Sequence, residues 1–366
     1  MPLMENNKLE TPQILTIDIT DRCQMQCKTC SKWKVSAEVK DKELTTEQWK
    51  TVFEKLKNWL PNGYWICFSG GEPFLRPDLL ELVDYATSLG FRVSTMSNGY
   101  SLMNHIDEIL NCKLESINIS LNSIIDKGIH DSSRGREESA QKIFDVIWQI
   151  MNRKKGINDN LSINIATIML PENLQEIVPL VEYTTKNKLK HIMFQLIEDE
   201  ESFHAYAEKS GLDAKNYKIP KEYRDKIKGM SEKATGVINY LIDMKRAGHS
   251  IANTYEQLDA YKKFFNNPES IVKEIKCDVG STNFAIDPYG DVRLCFNMNP
   301  IGSILDKSPE ELWTGKEAEE CRNAVRHCKM CCRLINCNFK ANFVNFNKPF
   351  LVRQINKIKK LITGRY

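Results

Sequence analysis

The stretch CQMQCKTC, residues 23–30, decides how this chain is read. It sets Cys23, Cys27 and Cys30 at spacings of x3 and then x2, with no fourth cysteine or histidine nearby. A closed structural zinc site takes four protein ligands, so this run is one ligand short. It follows a β-branched run, ILTIDI (14–19), at the head of a chain that alternates between two hydrophobic periods. TTEQWKTVFEKLKNWL (45–60) carries a helical stripe of apolar residues. YWICF (64–68) reads as a strand, and PDLLELVDYATSL (77–89) as a helix opened by Pro77 and stopped by Gly90. Strands follow at 91–97, 116–121, 161–169 and 191–197, with helices at 101–110, 139–153 and 173–186. Six strand–helix alternations predict an α/β fold with a parallel sheet. The pattern leaves a curved partial barrel and a doubly wound sheet both open.

In such sheets ligands bind at the carboxyl ends of the strands. The three-cysteine run follows the first strand, SGGEP (69–73) the second and SNG (97–99) the third, while Ser120 ends the fourth. The unusual polar elements therefore fall on one rim and predict one active site.

The totals narrow the class. The chain has 366 residues, a net charge of +3 and 42% hydrophobic residues, which suits a folded protein of one large and one smaller domain. No apolar run approaches the ~18 residues of a membrane span. MPLMENNKLETPQ at the start has no secretory h-region, so a cytoplasmic location is expected. Twelve cysteines in a reducing compartment point to metal ligands or reactive groups rather than disulfides. Ten fall in two zones, three in the opening run and seven from Cys277 onward, at 277, 295, 321, 328, 331, 332 and 337, while Cys67 and Cys112 stand alone.

Iron–sulfur cubanes are held by cysteine thiolates, usually four. The opening run resembles the Cys-x3-Cys-x2-Cys signature of the radical S-adenosylmethionine (SAM) superfamily, where three thiolates leave one iron of a [4Fe–4S] cluster open to SAM. Gly70-Gly71-Glu72-Pro73 resembles that family's GGEP element, which holds the methionine amino group. Asn98-Gly99 resembles the segment near the ribose. Ser120 and HDSSRGR, through Arg134, resemble the residues that contact the SAM carboxylate, which suits an arginine fork. The resemblance spans about residues 14–200 and implies a partial (β/α)6 TIM-like barrel. It also implies reductive cleavage of SAM to a 5′-deoxyadenosyl radical and a reducing partner such as flavodoxin or ferredoxin. The residue before the third cysteine is often aromatic in the family. Here it is Thr29, with Trp33 the nearest substitute.

The second zone resembles the twitch and SPASM extensions of that superfamily. Cys277 and Cys295 flank a hairpin, NFAIDPYGDVRLC (283–295), and CKMC (328–331) follows a capping-box start at Ser308. The resemblance implies one auxiliary [4Fe–4S] cluster on Cys277, Cys295, Cys328 and Cys331 in a small α+β domain. A zinc ribbon is the alternative. The full two-cluster pattern fails at Ala341, and Cys321, Cys332 and Cys337 are left over.

The expected domains are a radical SAM core at 1–200, a helical insertion or bridge at 201–275, the auxiliary domain at 276–340 and a basic amphipathic tail at 341–366. The tail either docks on the protein or makes a peripheral membrane contact. Nucleic acid is not an expected partner, since the basic patch is local. The leading substrate expectation is a small polar molecule, such as a sugar or cyclitol, that is oxidised or epimerised. The alternative is maturation of a ribosomally made peptide. Peptide modifiers often carry an N-terminal peptide-binding domain, for which a first strand at Ile14 leaves no room.

Overall fold

A computed structural model describes residues 10–30, 32–196, 221–330 and 332, with backbone alone over 221–227. Six parallel strands form the core: β1 (Ile14–Thr20), β2 (Trp65–Gly70), β3 (Arg92–Ser97), β4 (Ser116–Ser120), β5 (Ser162–Met169) and β6 (Ile192–Leu196). They lie side by side in sequence order. Between them run α1 (Ala37–Lys40), α2 (Thr46–Trp59), α3 (Leu79–Ser88), α4 (Ile106–Asn111), α5 (Lys127–Arg134), α6 (Ser139–Arg153) and α7 (Ile177–Lys186). This is the partial (β/α)6 TIM-like barrel expected from the sequence.

The two faces of the sheet differ. Ile17, Ile66, Phe68, Val93, Ile117, Ile119 and Ile165 are completely buried toward the helices. Phe68 stacks on Phe53 of α2 at 5.6 Å between ring centroids. Each such side chain contributes about 1.5–3 kcal/mol through burial. The residues between them point to the concave side and are mostly polar. Asp18 pairs in register with Ser69, and Asn118 with Met96 and Asn164. Cys67, Ser69, Asn118, Ser120 and Gln195 remain partly exposed there. A parallel sheet packed on both faces reads as continuous hydrophobic runs. The alternation in SINIS (116–120) instead marks a sheet with an open, hydrogen-bonding inner face.

Local signals account for the helix boundaries. Thr45 and Gln48 close a capping box before α2, whose Trp49, Val52, Phe53 and Leu56 are buried. The helix expected over 101–110 splits into a 3-10 turn, Leu102–His105, and α4. Helix α5, in the polar HDSSRGR region, has too few apolar residues for a periodicity signal. Asp126 caps its start, and Gly135, at φ 63°, ends it in the left-handed conformation.

Beyond β6, α8 (Lys221–Arg246) and α9 (Tyr255–Asn266) pack together, α8 also lies against α7, and Tyr261 of α9 donates to Phe194 O on β6 at 2.9 Å. Asn253 accepts from the Phe194 N–H and donates to its carbonyl, both at 2.8 Å. The free edge of β6 is thus covered. Two short turns follow, α10 (Ile271–Glu274) and α11 (Val279–Thr282), then β7 (Asn283–Ile286), β8 (Asp291–Arg293), β9 (Gly302–Ser303), α12 (Pro309–Thr314) and α13 (Lys316–His327). The Ser308–Glu311 capping box forms as expected. The expected hairpin does not stand apart from the barrel: β7 pairs parallel to β1, with Thr16 opposite Ala285, and extends the sheet. Cys331, Cys337 and the basic tail lie outside the described residues. Among the described residues no helix is long and apolar enough to cross a membrane.

Candidate active site

The loop carrying Cys23, Cys27 and Cys30 is fastened on two sides by backbone hydrogen bonds. On one side, Gly71 N donates to Thr20 O and Glu72 N to Arg22 O, both at 2.7 Å. On the other, Gln26 N donates to Arg134 O and Lys28 N to Ser133 O, both at 3.1 Å. The strand-two turn and the end of α5 therefore grip the cysteine run between them. Close approach requires glycine. A Cβ on Gly71 would lie 2.2 Å from Arg22 O, and one on Gly135 would lie 2.4 Å from Gln26 O.

The sulfurs sit among donors. Met25 N lies 3.4 Å from Cys23 Sγ, Asn98 Nδ2 3.7 Å from the same sulfur and Arg134 NH1 3.9 Å from Cys27 Sγ. Burial, with Cys27 and Glu72 close by, pushes the Cys23 thiol up to about 11. Burial raises Cys30 as well. Trp33 Nε1 donates to Cys27 O at 3.2 Å, so this ring stands beside the cluster loop.

Glu72 is completely buried. Its carboxylate accepts from Asn98 N at 2.7 Å and Ser97 Oγ at 2.8 Å, which ties the GGEP turn to the Asn98-Gly99 turn. It acts as a brace for the rim, while Gly70 and Gly71 bring main chain to the loop. Burial holds the carboxyl up at about 7, against the pull of these donors. Asn98 meets Gln24 in a reciprocal amide pair, each donating to the other at 3.3 Å, and Gln24 also donates to Ser101 Oγ at 2.8 Å. Gln24 lies inside the opening run and was missed as a site residue. Ser120 stands at the carboxyl end of β4, opposite Ala166.

Arg134 is buried, with NH2 3.4 Å from Asn122 Oδ1 and its Nε without a partner among the described residues. His130, one turn earlier, accepts from Asn122 N at 3.1 Å through Nδ1. Burial, helped by the Arg134 charge, lowers His130 to about 3, so it is neutral and carries its proton on Nε2. Asn122 was also missed, because neither its spacing nor its neighbours distinguish it in the sequence. A third group spans two parts of the chain. Lys32 Nζ lies 2.9 Å from Asp18 and 2.6 Å from Asp21, and Tyr289 of the β7–β8 turn donates to Asp21 at 3.0 Å.

In the second zone, Cys295 is buried with Cys277, Cys321 and Cys328 near enough to oppose its ionisation. Cys321 Sγ lies 3.7 Å from Met298 Sδ, and Asn297 Nδ2 3.7 Å from Cys332 Sγ. Among the described residues no three His, Cys, Asp or Glu side chains gather around a single ion. A cubane spreads its thiolates over four iron corners, which is a wider arrangement.

Both zones suit iron–sulfur clusters by their donor sets. The first offers three thiols, N–H donors aimed at sulfur and a glycine floor. The arginine Nε left unpaired beside it suits a carboxylate.

Comparison with known proteins agrees. Residues 17–184 match the Radical SAM superfamily, and residues 277–338 match SPASM, an iron–sulfur cluster-binding domain. The PqqA peptide cyclase of Bradyrhizobium diazoefficiens is 28% identical over 172 residues, 47% of this chain and 43% of that protein. The match thus spans less than half of that relative's length. Streptococcus suis SuiB bound to precursor peptide SuiA has a TM-score of 0.59 at 16% identity, covering 92% of this chain and 73% of that one. The protein anSMEcpe with bound AdoMet has a TM-score of 0.56 at 18% identity, covering 96% and 99%. These two likenesses concern the fold. Residues 17–184 thus belong to the radical SAM superfamily, and residues 277–338 form an iron–sulfur cluster-binding domain of the SPASM type.

Proposed function

We propose that this radical SAM enzyme modifies a peptide. The observation that carries the reading is the 28% identity to a peptide cyclase over 172 residues. It turns the substrate expectation from a sugar or cyclitol to the alternative stated with it. The partly exposed polar face of the sheet supports entry of a polar substrate segment from the concave side.

In this reading Cys23, Cys27 and Cys30 hold the SAM-binding [4Fe–4S] cluster, which with SAM supplies a 5′-deoxyadenosyl radical for hydrogen abstraction. Gly70 to Pro73 bring main chain to the methionine end. Arg134 takes the carboxylate, oriented by Asn122. Asn98 and Ser120 line the rim on the nucleoside side. Neutral His130 fixes the Asn122 backbone and adds no charge. Cys277, Cys295 and Cys328 hold an auxiliary cluster, and a flavodoxin or ferredoxin delivers electrons.

The test uses anaerobically reconstituted enzyme with SAM and reduced flavodoxin. Each short peptide encoded beside its gene is added in turn, as is a panel of sugars and cyclitols. One peptide should raise 5′-deoxyadenosine formation above the uncoupled rate and lose two hydrogens by mass. Coupling to a sugar or cyclitol alone would reject the reading.

A further inference from the structure

We propose that Cys321 is a ligand of the auxiliary cluster, completing a four-thiolate set with Cys277, Cys295 and Cys328. This rests on the reading of residues 277–338 as a cluster-binding domain.

Cys321 is on α13, and Cys328 caps the end of that helix. The two are seven residues apart, so they differ by only ~20° around the helix. They extend a stripe of buried α13 residues that includes Ala318 and Val325. Opposite this stripe lies the end of the hairpin with Cys295, only 6% exposed, and Met298, whose sulfur is 3.7 Å from Cys321 Sγ. Cys321 is itself 8% exposed.

The helix is clamped in this position by the next residue. Arg322 Nε donates to Gly280 O at 3.0 Å, and its guanidinium reaches Trp313 O and stacks over the Trp313 ring at 4.8 Å. Gly280 follows Cys277 by three residues. A Cβ there would lie 3.2 Å from Arg322 Cγ, so glycine allows the helix to approach the Cys277 segment. This clamp joins the segments carrying Cys277, Cys321 and Cys328, and the Met298 contact joins α13 to the hairpin end carrying Cys295. A buried cysteine can also act as a small apolar side chain. That role predicts no effect of its removal on bound iron.

The test needs no substrate. A Cys23→Ala/Cys27→Ala/Cys30→Ala variant removes the SAM-binding cluster, so the iron it retains reports on the auxiliary site. After anaerobic reconstitution this variant should hold about four irons per chain. Adding Cys321→Ala should abolish most of that iron and the reduced-cluster electron paramagnetic resonance signal. Cys321→Ser, which keeps an oxygen donor, should retain iron with shifted g values. Cys112→Ala removes a buried thiol elsewhere and should change neither. Cys331→Ala should retain the iron. Unchanged iron and g values in Cys321→Ala would overturn the proposal, as would iron loss in both Cys321→Ala and Cys331→Ala. No iron in the starting triple variant would reject the cluster-binding reading itself, and this proposal with it.

Discussion

Gly71→Ala tests the grip on the cysteine loop most directly. The new Cβ would sit 2.2 Å from Arg22 O, 2.7 Å from Arg22 C and 2.9 Å from Asp21 C. Real Cβ contacts begin at 3.0–3.4 Å, so the backbones must part by about 1 Å. No flexible side chain can absorb this, because all three obstructing atoms are main chain. The displacement strains two bonds, Gly71 N to Thr20 O and Glu72 N to Arg22 O. At about 0.5–1.5 kcal/mol each, their loss costs roughly 1–3 kcal/mol. It also moves Cys23, the residue after Arg22, relative to Cys27 and Cys30. The assay is iron content and SAM cleavage in a variant that keeps the auxiliary cysteines. The expected result is loss of SAM cleavage with the auxiliary iron retained. Gly236→Ala serves as a control. It lies inside α8 with nothing within 4 Å of a new Cβ, and should stabilise the chain by about 0.5–1 kcal/mol. A Gly71→Ala enzyme with full iron and normal SAM cleavage would refute the argument that backbone contact sets the loop.

Glu72→Gln should flatten the pH dependence of stability. The folded carboxyl is held at about 7, above its ordinary 4.5, so the native state keeps a proton that the unfolded chain releases. That contribution is full below about pH 4.5 and is lost as pH rises to 7, about 3 kcal/mol in all. Urea midpoints at pH 5.5 and 7.5 should therefore fall more in the wild type than in the variant, and parallel falls would reject the role. Lys32→Met should destabilise the fold by about 3–5 kcal/mol, because it leaves Asp18 and Asp21 facing each other without their shared cation. Adding Asp18→Asn should recover part of this, and a urea midpoint unchanged by Lys32→Met would count against the network.

Much of the site was legible in the sequence because its chemistry is local. Three cysteines within eight residues, and a Gly-Gly-Glu-Pro turn behind the next strand, announce themselves by spacing. The structure then gave several of these residues different work. Glu72 reads as part of a cofactor motif, yet its carboxylate is spent on Ser97 and Asn98. Gln24, Asn122 and Lys32 carry no signature, since each gains its role from a partner many residues away in the chain. The alternation in SINIS (116–120) and SINIA (162–166) was a usable clue to a polar inner face.

Periodicity, caps and cysteine spacing are written in neighbouring residues, so the sequence alone determined the alternating elements, the rim of motifs and the two cysteine zones. Which side of the sheet is open, how β7 joins β1, and which thiols stand around Cys295 depend on contacts between distant segments. Those are decided only when the helices bury one face of the sheet and leave the other for chemistry.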